Sequence, residues 1–178
     1  MTAVRPTAPP ARADGSGSSA DLAAEVSAFL AAEAHLLDDR DYERWLEMFT
    51  LDCLYWMPVD PLAISGALRL NVIYDDRARL RDRVGRLTSG SAFSEDPPTL
   101  TARTIGTVHL VGGAGTAAEP FVVRSTFSLV AHRCGQQRHL AGRYGHRLVR
   151  EGSALRIAEK RVGLLGSDSP QRPMAFLF

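Results

Sequence analysis

The side chains best able to do chemistry are five histidines, and their spacing does not assemble a familiar catalytic set. His35 lies opposite the apolar stripe of the first predicted helix, whereas the others, at positions 109, 132, 139 and 146, fall on predicted strands without a His-x-His pair. Acidic residues are scarce in the second half, which disfavours an iron site of two histidines and one carboxylate. His109 could form an acid–base pair with Asp41 or Asp52, although a structural strand histidine is the simpler interpretation.

Other catalytic and binding motifs are missing from the sequence. It contains no G-x-S-x-G, Walker loop, H-E-x-x-H or dinucleotide-binding glycine pattern. Gly112, Gly113 and Gly115 join two predicted strands and open no helix, so they predict a hairpin loop and not a phosphate site. Cys53 and Cys134 are far apart, which indicates neither a disulfide framework nor a thiolate metal site. The cytoplasm is the expected compartment.

The segment from residue 38 to 59 carries the clearest structural signal. Four apolar residues in it have helical i, i+3, i+4, i+7 spacing: Tyr42, Trp45, Leu46 and Phe49. Asp41 precedes them and is a suitable N-cap. The following residues 51–57 are apolar and aromatic, and Pro58 removes a backbone donor, which predicts a strand ending there. Helix, helix and strand in this order predict the start of an α+β cone.

Length and composition indicate one globular domain of ordinary make-up. Residues 1–17 are mostly small or polar and are predicted to be a disordered tail, and residues 18–178 form the domain. No apolar run approaches the ~18 residues that a membrane span needs, and no secretion signal is recognisable.

The remaining elements follow from hydrophobic periodicity. Helices are predicted over residues 18–38, 41–49 and 75–87, and strands over 51–59, 68–74, 99–111, 121–133, 139–150 and 154–165. Short connections between the last four strands indicate hairpins, and Gly142 and Gly145 are predicted to form bulges that bend a strand. The predicted fold is α+β, a curved, mostly antiparallel sheet of about six strands wrapped by three N-terminal helices.

Charge is distributed unevenly along the chain. Residues 1–98 contain 10 basic and 16 acidic residues, whereas residues 99–165 contain 10 basic and 3 acidic ones. The basic residues alternate along strands with few aromatic neighbours, which disfavours nucleic-acid binding. Arg143 and Arg147 share one strand face, which is either solvated or a docking surface for another subunit.

Several segments together resemble one protein family. They are EAHLLDDRDYERWLEMFTLDCLYWMPV, YDDRARLRDRVGRLTSGSAFSEDPP, FVVRSTFSLV, AGRYGHRLVREGSALRIAEKRVGLL and the final MAFLF. In this order they resemble the small (beta) subunit of bacterial Rieske-type aromatic-ring-hydroxylating dioxygenases, over nearly the whole chain after residue 20.

The resemblance implies a cystatin-like/NTF2-like cone of the scytalone dehydratase type and an α3β3 assembly with a large alpha subunit. That partner would carry the Rieske [2Fe–2S] cluster and the mononuclear iron, so this chain is expected to hold no catalytic, cofactor or metal site. It would also self-associate as a trimer. The interface candidates are Tyr55, Trp56, Tyr74, Arg103, Arg143 and Arg147. Two alternatives stay open: a stand-alone cone enzyme, such as a dehydratase, isomerase or cyclase acting on an aromatic substrate, and a non-catalytic ligand-binding module.

Overall fold

A computed structural model describes residues 16–63, 65, 66, 69–89, 97–169, 174 and 176–178. Most of the predicted disordered tail lies outside the described residues, as does the S-E-D part of the loop before Pro97. The last two residues of that tail, 16 and 17, already belong to the first helix, which therefore begins two residues before the predicted start.

Three helices precede most of the sheet, as the periodicity predicts: α1 (Ser16–Asp38), α2 (Tyr42–Glu47) and α3 (Arg77–Thr88). The Asp41 side chain accepts a hydrogen bond from the Arg44 backbone N–H at 3.3 Å, and Asp76 accepts one from that of Arg79 at 2.9 Å. The N-cap predicted at Asp41 is therefore confirmed, and Asp76 caps α3 in the same way. Among the described helices, none combines the length and apolarity required to cross a membrane.

Six strands form one curved sheet: β1 (Phe49–Pro58), β2 (Asn71–Asp76), β3 (Leu100–Gly112), β4 (Phe121–Arg133), β5 (Gln136–Glu151) and β6 (Ala154–Leu164). Their order is β2-β1-β6-β5-β4-β3. Only the β1–β6 pairing is parallel; the other pairings are antiparallel. The predicted fold class and the end of β1 at Pro58 are confirmed.

Three strands begin two or three residues away from the predicted position. Strand β1 begins at Phe49 and not at residue 51, and α2 ends at Glu47, two residues before its predicted end. Strand β2 begins at Asn71 and not at residue 68. Strand β5 begins at Gln136, three residues early, because Cys134 and Gly135 alone make the turn after β4, with φ angles of 49° and 73°. Two successive positive φ angles are typical of the tight turn whose twist matches the flanking strands.

The two predicted glycine bulges in β5 are wrong. Pairing of β5 with β4 is continuous, and its register with β6 shifts only between Arg147 and Leu148. Gly142 instead allows close packing, since a Cβ there would lie 2.4 Å from the Gly163 carbonyl oxygen and 2.7 Å from the Phe127 ring. A Cβ at Gly145 would meet nothing closer than 3.7 Å.

Gly142→Ala is therefore expected to destabilise the fold by about 1–3 kcal/mol, because the added methyl group overpacks a site bounded by backbone. Gly145→Ala is the matched control on the same strand and is expected to change the free energy of unfolding by less than ~0.5 kcal/mol. Urea denaturation of both variants measures the difference. Equal effects of the two substitutions would contradict this account of Gly142.

The two faces of the sheet have different surroundings. The inner face carries Tyr55, His146 and Lys160 and packs against the helices, with α1 lying over β3. Trp45 of α2 contacts the rings of Phe49 and Tyr55 edge to face, with centroid distances of 4.8 and 5.6 Å. The predicted apolar stripe is thus part of the core, but its last member, Phe49, belongs to β1 and not to the helix. On the outer face, the loop after β1 covers the end of the sheet formed by β1 and β2.

Candidate functional site

The structure does not bring His109 together with Asp41 or Asp52, and so favours the simpler interpretation of His109 as a strand residue. His109 is exposed on edge strand β3, opposite Arg124 of β4. The Asp41 carboxylate caps α2 and pairs with the Arg44 guanidinium at 3.3 Å, and Asp52 is exposed on β1. Because register places the His109 side chain in the row of Arg124 and Arg161, on the outer face, it cannot serve a site inside the cone.

The inside of the cone instead holds a cluster of buried polar side chains, which we call the interior polar cluster: Glu33, Trp45, His146 and Lys160. The Glu33 carboxylate accepts hydrogen bonds from Lys160 Nζ at 2.7 Å and from Trp45 Nε1 at 3.1 Å. Its second oxygen lies 3.1 Å from His146 Nε2. All four residues are at most 3% exposed. The cluster therefore ties α1 and α2 to β5 and β6.

Electrostatics hold the Glu33 carboxyl in its ionised form. Burial alone would raise its pKa, but the charges and hydrogen bonds of Lys160 and His146 outweigh burial and hold the pKa well below the usual 4.5. Burial lowers the pKa of Lys160 to about 8, against the opposing effect of Glu33. The Lys160 ammonium also lies 4.6 Å from the centre of the Tyr144 ring, a cation–π contact. A carboxylate with these partners has no proton to donate near neutral pH, so the cluster is suited to holding elements together.

Acid is expected to destabilise the chain through this cluster. Between the lowered folded-state pKa of Glu33 and its unfolded value near 4.5, the unfolded chain binds a proton that the native chain does not. The free energy of unfolding should therefore fall as the pH drops below about 4.5. Denaturation midpoints from pH 7 to pH 3 measure this slope. Glu33→Gln should reduce the dependence of the free energy of unfolding on pH. An unchanged dependence in that variant would show that other carboxyl groups cause the loss of stability in acid.

Sequence reasoning missed this cluster, although two signals were present. Glu33 lies on the apolar stripe of α1, at the spacing that joins Val26, Leu30 and Leu37, so a charge there faces the core. Lys160 is the single lysine in a chain whose other basic side chains are all arginine. The sequence does not show that Glu33 contacts His146 and Lys160, since these residues are 113 and 127 positions away from it.

Two of the predicted interface residues, Arg103 and Tyr55, lie inside the subunit. The structure therefore corrects their predicted placement on the surface. The Arg103 side chain is 0% exposed, with its Nε 2.7 Å from Asp38 Oδ1 and its Nη2 donating to the Leu177 carbonyl at 3.2 Å. Tyr55 is likewise fully buried, with its hydroxyl 3.2 Å from the Phe178 backbone N. Burial raises the pKa of Tyr55, so its phenol stays protonated. Both side chains point to the inner face of their strands.

The other four candidates belong to the outer face. Trp56 is covered by the loop after β1, donates to Glu159 at 3.0 Å and lies under the Arg161 guanidinium. Tyr74 is half-buried beside it. Arg143 is exposed, and Arg147 is half-exposed, with its Nε 3.9 Å from Glu159. Their interface role stays a prediction.

Register assembles the arginines of β4, β5 and β6 into one patch, which we call the basic outer face: Arg124, Arg143, Arg147 and Arg161. Arg124 is opposite Gly145, and Gly145 is opposite Arg161, so these positions share a row. Arg143 and Arg147 flank that row on β5. Glu159 is the acidic residue within the patch, which leaves it strongly positive. Among the residues that the structure describes, no three His, Cys, Asp or Glu side chains come together as metal ligands.

Comparison with solved structures defines the class of fold. A scytalone dehydratase-like protein from Novosphingobium aromaticivorans has a TM-score of 0.61 at 13% identity, covering 83% of this chain and 86% of that one. The chain therefore has the NTF2-like, scytalone dehydratase-type cone.

The family follows from closer similarities. The family model described as the ring hydroxylating beta subunit matches residues 32–168. The small oxygenase component of the p-cumate 2,3-dioxygenase system of Pseudomonas putida is 34% identical, over 83% of this chain and 84% of that one. The beta subunit of benzoate 1,2-dioxygenase from Burkholderia mallei has a TM-score of 0.69 at 26% identity, covering 86% and 96%. The chain belongs to the ring-hydroxylating dioxygenase beta-subunit family, and is the small subunit of an oxidoreductase complex.

Proposed function

We propose that this chain is a non-catalytic subunit that binds and stabilises an iron-bearing alpha subunit, which dihydroxylates an aromatic substrate. The observation that carries the proposal is the contrast between the two faces of the sheet. On the inner face, the charged side chains are buried and paired with one another. On the outer face, exposed arginines form a positive patch that is open along β4 and β5. Charge of one sign on an open face favours a specific macromolecular partner.

The proposed assembly is α3β3, with a trimer of this chain contacting three alpha subunits. Obligate interfaces of this kind typically bury upward of ~2,000 Å². The Rieske [2Fe–2S] cluster and the mononuclear iron are assigned to the alpha subunit, because the described residues of this chain offer no fitting ligand set. The complex would act in the cytoplasm, in the breakdown of aromatic compounds. Within the interface, Arg143 and Arg147 would make direct contacts, and Trp56 and Tyr74 would contribute from the same face of the sheet, on β1 and β2.

Reconstitution tests the division of roles. The isolated chain, supplied with dioxygen, NADH and an electron-transfer reductase, is expected to oxidise no aromatic substrate. The iron-bearing large subunit from the same host should gain stability and activity when this chain is added. Turnover by the isolated chain would contradict the proposal and favour the stand-alone enzyme, which the exposed position of His109 does not support.

A further inference from the structure

The final described residues of the sequence lie inside the cone. Phe176, Leu177 and Phe178 are 6%, 1% and 1% exposed. The Phe178 ring lies 5.9 Å from the Phe127 ring and 5.3 Å from that of Phe176, measured between centroids. An aromatic ring of this segment therefore occupies the aromatic part of the inner face.

Side chains, and not strand pairing, hold this segment by its backbone. Arg103 Nη2 donates to the Leu177 carbonyl at 3.2 Å, and the Tyr55 hydroxyl is 3.4 Å from the Phe178 oxygen. Residues 176–178 belong to no strand of the sheet. Arg103 and Tyr55 thus bind two oxygen acceptors next to an aromatic ring. The segment thus presents oxygen acceptors beside an aromatic ring, the two features that a small aromatic carboxylic acid combines.

The same region contains polar atoms that the segment leaves without partners. Arg103 Nη1, the Tyr144 hydroxyl and His146 Nδ1 are buried and make no hydrogen bond of good geometry with a described residue. The Arg103 guanidinium is nonetheless near enough to the Tyr144 hydroxyl to oppose the rise in the Tyr144 pKa that burial causes. The Tyr144 ring stacks on Phe127, at 4.2 Å and 13°, and lies 5.8 Å from the His146 ring. Phe127 therefore contacts both the Tyr144 ring and the Phe178 ring. Buried donors without partners are rare in native proteins, and a guanidinium with a phenol is a typical donor pair for a carboxylate.

We propose that the inner end of the cone is a binding site for a small aromatic carboxylic acid, which the segment Phe176–Phe178 occupies as an internal ligand. The ring of the acid takes the place of Phe178 against Phe127. Its carboxylate accepts hydrogen bonds from Arg103 and Tyr144. Glu33 and Asp38 do not repel the acid strongly, because Lys160 and Arg103 already pair with them.

The test uses the full-length chain, with benzoate as the probe and toluene as its uncharged analogue. Phe178→Ala removes the internal ring, so it is expected to bind benzoate at least about tenfold more tightly than the unaltered chain, where the segment competes. Adding Tyr144→Phe should weaken benzoate binding roughly tenfold and leave toluene binding unchanged, since only the carboxylate uses the hydroxyl. Calorimetry measures the affinities, and circular dichroism verifies folding.

Phe121→Ala is the matched control. It also removes a buried ring, packed against Gly115 and beneath Arg150, and is expected to create no benzoate site. Should Phe178→Ala fail to fold, the unaltered chain provides the readout: benzoate should abolish the nuclear Overhauser effect between the Phe178 and Phe127 rings. A folded Phe178→Ala that binds toluene but not benzoate at roughly 10 mM, or an unaltered chain in which that ring contact never changes, would overturn the proposal.

Discussion

Lys160→Met is expected to lower the free energy of unfolding by about 3–5 kcal/mol, because it leaves the Glu33 carboxylate buried without its closest cationic partner. The Lys160–Glu33 contact is 2.7 Å long, and both side chains are at most 3% exposed. Methionine has a similar length and no charge, so lost volume contributes little. Urea denaturation at one fixed protein concentration measures the effect, since assembly would otherwise shift the apparent stability.

Two further variants separate loss of the ion pair from loss of packing. Glu33→Gln combined with Lys160→Met removes both charges and should recover much of the stability, since a neutral amide no longer needs a counter-charge. Arg156→Met on the same strand removes an exposed pair with Glu151, and is expected to cost less than ~1 kcal/mol. If Lys160→Met were no more costly than Arg156→Met, Glu33 would not depend on Lys160.

Arg143→Glu is expected to weaken assembly with the alpha subunit by roughly 100-fold, since a reversed charge placed against a complementary surface costs several kcal/mol. Arg143 is exposed, so the same substitution should leave the stability of the isolated chain within ~0.5 kcal/mol of its original value. Light scattering of the co-expressed subunits measures assembly. The difference in assembly between this variant and the unaltered chain should shrink as the ionic strength rises, because salt screens exposed charges.

Arg81→Glu provides the control for this reversal. Arg81 is exposed on α3, outside the basic outer face, and the substitution changes the net charge by the same amount. Assembly should tolerate it. A full hexamer that persists in Arg143→Glu, or an equal loss in both variants, would contradict the role of the basic outer face.

The sequence specified most of the scaffold, because the deciding signals are local. Asp41 and Asp76 cap the helices that their positions predict, and Pro58 ends β1 because it cannot donate to the ladder. Errors arose where neighbours distant in sequence decide the outcome. Gly142 suggested a bulge, yet its role depends on Phe127 and Gly163 across two neighbouring strands.

The site was predicted less well, since charge alone does not reveal which face of a strand a side chain occupies. Arg103 and Arg143 look alike in the sequence, but one is buried against Asp38 and the other is exposed. A one-residue difference in register exchanges the two faces of a strand. The interior polar cluster depends in the same way on which residues of β5 and β6 meet α1.

The most direct test of the subunit role is to purify the tagged chain from its native host and determine the mass and iron content of what is recovered. We expect a second, larger chain that carries the iron, in a complex whose mass matches three copies of each subunit. An iron-free homo-oligomer with no second chain would contradict the subunit role.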